Sequence, residues 1–205
     1  VLGVLGVTGE QTAIVVGCGL VGNLVAQFAR LAGYEVICFE PSEFKLNILR
    51  QSGFKHTYNP LTCDLGEVIS MATDGAQADV AFLCASSADS SLTETYISQL
   101  RSKGRVVVIG DMSLDLPRDI LFSKELDVKV SRSYGPGRFN SQYERGGDDY
   151  PVDYVRWTSN RNLRFFVSCL QRKTISCSHL ITVSLQLQDA QKGYEILKNE
   201  SENHS

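Results

Sequence analysis

Long apolar runs are missing from this 205-residue chain, and none approaches the roughly 18 residues that a membrane-crossing helix requires. Histidine is scarce: His56, His179 and His204 stand far apart, with no partner at ligand spacing, which argues against a metal centre. The six cysteines, at 18, 38, 63, 84, 169 and 177, include no C-x-x-C pair, so neither a zinc ribbon nor a dithiol redox motif is expected. Scattered in or beside apolar segments, they read as free thiols of a reducing, cytoplasmic compartment. Neither charge sign dominates, with 20 basic residues against 23 acidic ones and a net charge of −3. Composition therefore makes no case for nucleic acid or for a membrane surface. Internal repeats and low-complexity tracts are also lacking. What remains is 43% hydrophobic and 21% charged, an ordinary globular profile sized for one large domain or one domain with an appendage. The opening, Val1-Leu2-Gly3-Val4-Leu5-Gly6, is apolar without a basic lead-in. It reads as the cut end of a helix, not as a signal peptide.

The informative stretch is residues 12–40. Ala13 to Val16 is short, β-branched and without a polar face, which suits a strand buried on both sides of a parallel sheet. Gly17-Cys18-Gly19-Leu20-Val21-Gly22 then matches G-x-G-x-x-G. Gly17 allows the tight turn, Gly19 lets a diphosphate reach the backbone, and Gly22 lets the helix lie close to the strand. A helix is expected from Leu20 to Ala32, with Leu24, Val25, Phe28 and Leu31 on its buried face and Gly33 as its stop. Its N-terminal N–H groups form an anion site. Residues 35–39 make a second strand, and Glu40 falls at its carboxyl end, 18 residues after Gly22. Strand, glycine turn, helix and terminal acid together complete a dinucleotide-binding fingerprint. Glu40 would accept hydrogen bonds from both hydroxyls of an adenosine ribose, whereas a 2′-phosphate there would face a carboxylate. NAD(H) is therefore expected over NADP(H).

Downstream, strands and helices alternate. Ser42 can cap a helix to about Ser52 with Phe44, Ile48 and Leu49 inward, and Lys45 lies on its first turn, either within reach of the ribose or simply solvated. A short strand at 56–60, a helix at 65–72 with Leu65, Val68, Ile69 and Ala72 inward, and an apolar strand at 79–84 follow. Ala85-Ser86-Ser87 is small and polar, as a strand end bordering a ligand cleft should be. A helix at 89–100 leads through a Lys103-Gly104 turn to a fifth strand at 105–109, with Gly110 at its carboxyl end. Gly110 is either a plain turn or, as favoured where open α/β sheets bind ligands, a cofactor-facing position. Residues 126–133 alternate apolar and polar, as a half-covered edge strand does. The whole predicts an α/β Rossmann fold: a doubly wound, mainly parallel six-stranded sheet with helices on both faces. We place an NAD-binding domain at 1–134. Residues 135–205 are expected to comprise a long loop at 134–151, a helix at 159–172 with Leu163, Phe166, Val167 and Leu170 inward, and a strand-like run at 175–185. A last helix at 188–198, with Ala190, Tyr194 and Leu197 inward, and a frayed polar tail complete the chain.

The segments VVGCGLVG (15–22), VICFEPSEFK (36–45), ADVAFLCAS (78–86), GRVVVIG (104–110) and LFSKELDVKVSRSYG (121–135) resemble the cofactor-binding half of the medium-chain dehydrogenase/reductase family, the zinc-type alcohol dehydrogenases. The run SYGPGRF…YERGGDDYP…YVRW…RN, from Ser133 to Asn162, is similar to a narrower group. In that group this unit is fused to a domain of the glucose–fructose oxidoreductase or inositol dehydrogenase type. The resemblance implies NAD contacts at Gly17, Gly19, Leu20, Val21, Gly22, Glu40, Lys45, Ala85, Ser86, Ile109 and Gly110. It implies dimerisation through the edge strand Val128 to Ser133, and an alcohol or sugar-like substrate. The family's zinc ligands and proton relay belong to a preceding domain, so no metal or catalytic residue is assigned here, and the segment after Tyr134 would return towards that domain. Taken alone, the chain is expected to bind NAD and to turn over nothing.

Two further readings stand beside this one. The glycine loop with Tyr134, Arg138 and Tyr143 either lines the substrate side or is a mobile surface loop. A Rossmann unit also serves as a non-catalytic NAD-sensing module, because fold does not fix function. A short-chain dehydrogenase would need Tyr-x-x-x-Lys after the fifth strand; Tyr194 and Lys198 have that spacing but sit on the last helix. A flavoprotein would share the glycines but not the segments from Asp79 to Gly135.

Overall fold

A computed structural model of the protein describes residues 11–202. The expected helix end at Val1 to Gly6 and the last residues of the tail lie outside the described residues. The described chain groups into two compact units, one ending at Ile175 and the other starting at Ser176. The first unit therefore runs past the boundary expected at Gly135.

Six parallel strands form one sheet: β1 (Thr12–Val16), β2 (Glu35–Phe39), β3 (His56–Tyr58), β4 (Ala78–Leu83), β5 (Leu100–Val108) and β6 (Asp127–Val130). Their order is β3-β2-β1-β4-β5-β6. The order reverses between β1 and β4, the point at which such sheets bind ligands outside their strands' carboxyl ends. The apolar run of β1 explains its central place. Ala13 and Val15 enter one core layer, Ile14 and Val16 the other, and all are buried. A strand with two buried faces has no use for a polar residue.

Helices α1 (Leu20–Leu31) and α2 (Glu43–Gln51) contribute Val25, Ala26, Ala29, Leu46 and Leu49 to the first layer. Helices α3 (Leu65–Ala72), α4 (Ser90–Ile97) and α5 (Arg118–Lys124) line the second, through Ile69, Tyr96, Ile97 and Ile120. The inward face of α1 is rotated from the one expected: Leu31 is exposed, while Gly22, Ala26 and Ala29 take the sheet side. Small residues there let helix and sheet approach closely. On α2, Phe44 is 63% exposed and Leu46 is buried in its place. Two positions apart on a helix, Phe44 and Leu46 point to nearly opposite sides, and only Leu46 takes the core side.

Helix α4 ends at Ile97, because Leu100 pairs with Ala78 and already belongs to β5. The chain then loops out, with Lys103 at φ +60°, and rejoins the ladder where Arg105 meets Val80. Helix α5 was not expected from the sequence. It starts after Pro117, which has no N–H to lose at a helix start, and stops at Glu125 in a left-handed conformation. Strand β6 is shorter than expected, and Val130, 69% exposed, lies on the open edge.

The segment at 134–158 is not structureless. It holds a single π turn at Gln142–Gly146, a stacked pair Tyr143–Tyr150, and an ion pair between Arg138 and Glu144. Arg161 of α6 (Ser159–Gln171) pins it by pairing with Asp149 at 3.2 Å and donating to the carbonyls of Val155 and Tyr150. The tyrosine and charge content that reads as a loop in one dimension is thus the bonding material of a folded one. On α6, Phe165, Phe166, Cys169 and Leu170 pack with Phe28 and Ile175, whereas Leu163 and Val167 point outward. Half of the expected stripe is therefore surface.

The second unit contains two 3₁₀ turns, Ser178–Leu180 and Leu187–Asp189, and helix α7 (Ala190–Glu202). Its run at 175–185 alternates like a strand but forms none, since alternation alone supplies no neighbouring edge to bond. On α7, Ala190, Tyr194 and Leu197, expected inward, are exposed. Its backbone is helical beyond the expected end at Lys198.

Candidate functional site

The glycine turn is shaped by what each Cβ would meet. Gly17 has φ +81°, donates its N–H to the Phe39 carbonyl at 2.9 Å, and would drive a Cβ to 2.7 Å from the Ala85 backbone. A Cβ at Gly22 would lie 1.8 Å from the Gly17 carbonyl oxygen. Those two glycines close the corner where β1 passes into α1. Gly19 differs: among the described residues a Cβ there would meet nothing within 4 Å. It is the N-cap of α1 and no side chain caps it. The N–H groups of Leu20, Val21 and Gly22 lie in the first turn, where a helix has no internal acceptors for them. Leu20 and Val21 are exposed beside this opening. The result is a bare, positively polarised helix end facing empty space.

Glu40 continues β2, its N–H donating to the Tyr58 carbonyl. Its side chain is two residues beyond Cys38 and so lies on the α1 side of the sheet. It is 4% exposed. One carboxylate oxygen accepts from the Cys18 N–H at 2.7 Å, and the other accepts from the Ser42 N–H at 3.1 Å. Lys45 Nζ lies 3.5 Å from the same oxygen as Ser42. The sequence suggested an acid free to grip two hydroxyls. The structure shows an acid that first of all fastens the glycine turn, with Lys45 as its more exposed neighbour. Ser42 is the N-cap of α2 yet makes no side-chain cap bond; its backbone serves Glu40 instead.

The far wall comes from β4 and β5. The Cys84 N–H donates to the Val16 carbonyl, which holds Ala85 against Gly17. Ile109 and Gly110 both donate to the Leu83 carbonyl. A Cβ at Gly110 would lie 2.0 Å from the Ala85 carbonyl oxygen, so Gly110 is required by close packing of the two strand ends. Ser86 is exposed at this rim. The expected positions 17, 19–22, 40, 45, 85, 86, 109 and 110 thus gather at the carboxyl ends of four adjacent strands.

Three thiols, Cys18, Cys38 and Cys84, sit beneath the corner, and none of the six cysteines is in a disulfide. A hydrogen bond with Cys38, then burial, holds the Cys18 thiol well above its usual range, and burial pushes Cys84 up to about 12. Buried in the first core layer, Cys18 and Cys38 fill space beneath the corner, and Cys84 packs against it. Among the described residues no group of three His, Cys, Asp or Glu side chains could ligate a metal. No described helix is long and apolar enough to cross a membrane. Two features were not found from the sequence. The link from Cys18 to Glu40 depends on a fold-level approach that no spacing encodes. Asn23, buried in α1, keeps an amide N–H₂ without a partner among the described residues.

Comparison with known proteins fits this geometry. A family model described as zinc-binding dehydrogenase matches residues 21–145, more than half of the chain. The chain is 30% identical over 132 residues to a 2-dehydro-3-deoxy-L-galactonate 5-dehydrogenase of Pseudoalteromonas atlantica, covering 63% of this chain and 38% of that one. It is 32% identical over 117 residues to an L-threonine 3-dehydrogenase of Pyrococcus furiosus, covering 55% and 33%. A sorbitol dehydrogenase of Halalkalibacterium halodurans aligns over 91% of this chain at 24% identity, and 48% of its own length is covered. Among solved structures, an Escherichia coli alcohol dehydrogenase complexed with NADH superposes with a TM-score of 0.71 at 19% identity, over 97% of this chain and 51% of that one. At that identity the likeness speaks for the fold. The matches span about a third to a half of the relatives' own length. With the glycine corner, the parallel six-stranded sheet and the family match in agreement, the chain belongs to the zinc-binding dehydrogenases, the medium-chain dehydrogenase/reductase family.

Proposed function

We propose that this chain is the NAD(H)-binding part of an alcohol or polyol dehydrogenase. The observation that carries this reading is the open space at Gly19 at the head of α1, between two glycines that are sterically closed. The corner fits a dinucleotide's diphosphate: uncapped N–H groups, a helix N-terminus and, among the described residues, no side chain in the way. When bound, the cofactor supplies hydride transfer at its nicotinamide ring. The chain's own residues bind and orient it. Gly19, Leu20, Val21 and Gly22 hold the diphosphate; Glu40 and Lys45 flank the adenosine ribose; Ala85, Ser86, Ile109 and Gly110 border the path towards the nicotinamide. The relatives named for a sugar acid, threonine and sorbitol support a small polyhydroxy or hydroxy-acid substrate. Metal ligands and proton relay are assigned to the part of the complete enzyme that this chain does not span.

Glu40 sets the cofactor preference. A 2′-phosphate brought to a buried carboxylate meets repulsion in a poorly solvated place. Titration of the chain with both reduced cofactors, read by nicotinamide fluorescence, should give at least tenfold tighter binding of NADH. Equal or tighter binding of NADPH would refute the charge argument.

The complete protein is further proposed to be cytoplasmic and to pair through its edge strand at 128–133. The run at 133–162 supports the narrower group fused to a glucose–fructose oxidoreductase-type domain. The exposed apolar residues at 181–197 are assigned to contact with the remainder of the enzyme.

A further inference from the structure

Phe139 is a strained residue with an exposed ring. Its φ of +68° is a left-handed conformation that bulky side chains avoid, yet the residue is 68% exposed and gains little from burial. The same loop uses glycine at Gly135 and Gly137, where φ is also positive. Glycine at 139 would satisfy the backbone equally and without strain. Strain of this kind collects at ligand clamps.

The ring is held in place from several sides. Tyr134 meets it edge-on at 6.0 Å, Arg138 lies 4.9 Å and Arg132 5.5 Å from its centroid, and the Phe139 N–H donates to Glu144. Arg138 is committed to Glu144 by an ion pair. Arg132 is exposed, and no carboxylate pairs with it among the described residues. The cluster also has a defined place. Val130 pairs with Val108, and the Ser131 N–H donates to the Val108 carbonyl at 2.7 Å. Arg132 therefore leaves β6 about level with Gly110, on the carboxyl rim of the sheet, where the substrate side of a doubly wound fold lies.

We propose that Arg132, Phe139, Arg138 and Tyr134 form a substrate subsite for a small anionic sugar, a sugar acid. The apolar C–H face of the sugar lies on the exposed aromatic ring, and the carboxylate takes the free guanidinium of Arg132 in a two-pronged hydrogen bond. Arg138, neutralised by Glu144, braces the ring and leaves the anion to Arg132. Guanidinium geometry matches a carboxylate, and its stacking on Phe139 presents the N–H groups already oriented. That the bound sugar acid is a substrate rests on the dehydrogenase reading; the subsite itself rests on the loop.

The test is an NMR titration of the 205-residue chain with D-glucuronate and, separately, D-glucose, which differ only by the carboxylate. D-Glucuronate should shift the amides of residues 132–139 saturably, with D-glucose at least fivefold weaker. Arg132→Gln should weaken D-glucuronate at least tenfold, and so should Phe139→Gly, which keeps the backbone conformation and the fold. Equal affinity for the two sugars, shifts confined elsewhere, no saturable binding, or variants within twofold of the parent would overturn the subsite. NADH is titrated in parallel. NADH binding without a D-glucuronate response defeats the subsite alone; D-glucuronate binding without NADH binding upholds the subsite and defeats the dehydrogenase reading.

Discussion

The three motif glycines look alike in the chain and differ in three dimensions. Gly22→Ala would press a Cβ into a carbonyl oxygen and should cost about 3 kcal/mol. Gly17→Ala adds a left-handed penalty to its clash with Ala85. Gly19→Ala meets open space, so it should leave thermal stability within about 0.5 kcal/mol of the parent while weakening NADH at least tenfold. Thermal melts and NADH titrations of the three variants separate structural glycines from the ligand-facing one; a Gly19→Ala protein that binds NADH normally would remove the case for the corner. The steric roles of Gly17 and Gly22 were legible in sequence because G-x-G-x-x-G is a steric code. The role of Glu40 was half legible. Its position at the end of β2 followed from spacing, but its bond to Cys18, 22 residues away, exists only once both strands lie side by side.

At the scale of elements, strands were read more faithfully than helix faces. A doubly buried parallel strand has one signature, an unbroken apolar run, and β1, β2 and β4 carry it. Helix faces failed where a few apolar residues fit two orientations: Leu46 for Phe44 on α2, and Phe165 and Cys169 for Leu163 and Val167 on α6. The stretch expected as a long loop at 134–151 is a loop, but its internal order could not be read from periodicity because it comes from side-chain bonds. Those bonds titrate. A hydrogen bond from Arg138, then one from the Phe139 N–H, holds the Glu144 carboxyl below its usual value. A depressed carboxylate stabilises above its unfolded pKa of about 4.3 and loses that contribution as pH falls through the folded value. The loop should therefore be tight at neutral pH and loosen below about pH 4.3. Trp157, the single tryptophan, lies at the foot of this loop against Phe165, so its emission should change over that range before far-UV signal is lost. In Glu144→Gln that acid-range change should be absent; its persistence would mean that another group governs the loop.

For the whole molecule, the strand order leaves β6 at one edge, with no outer neighbour among the described residues. Lys129 pairs with Val107, and the Ser131 N–H points inward to Val108. Since successive N–H groups alternate in direction, those of Val128 and Val130 point outward. Val130→Pro should then remove an outward donor while leaving the β5–β6 ladder intact. If the edges of two copies join, light scattering should show the variant shifted from dimer to monomer by at least tenfold in dissociation constant, with little change in melting temperature. A parent chain that is monomeric at every concentration would exclude edge pairing for this chain.

The bond from Cys18 to Glu40 carries a consequence for how this protein could change. One carboxylate both discriminates between dinucleotides, on the reading above, and latches the corner that receives them. Trading the acid for a small neutral side chain, the simplest path towards a phosphorylated cofactor, would strand a buried amide and slacken the corner in the same step. A successful switch needs a substitute acceptor for Cys18 first, so cofactor preference here should be slow to drift and hard to redesign by a single exchange.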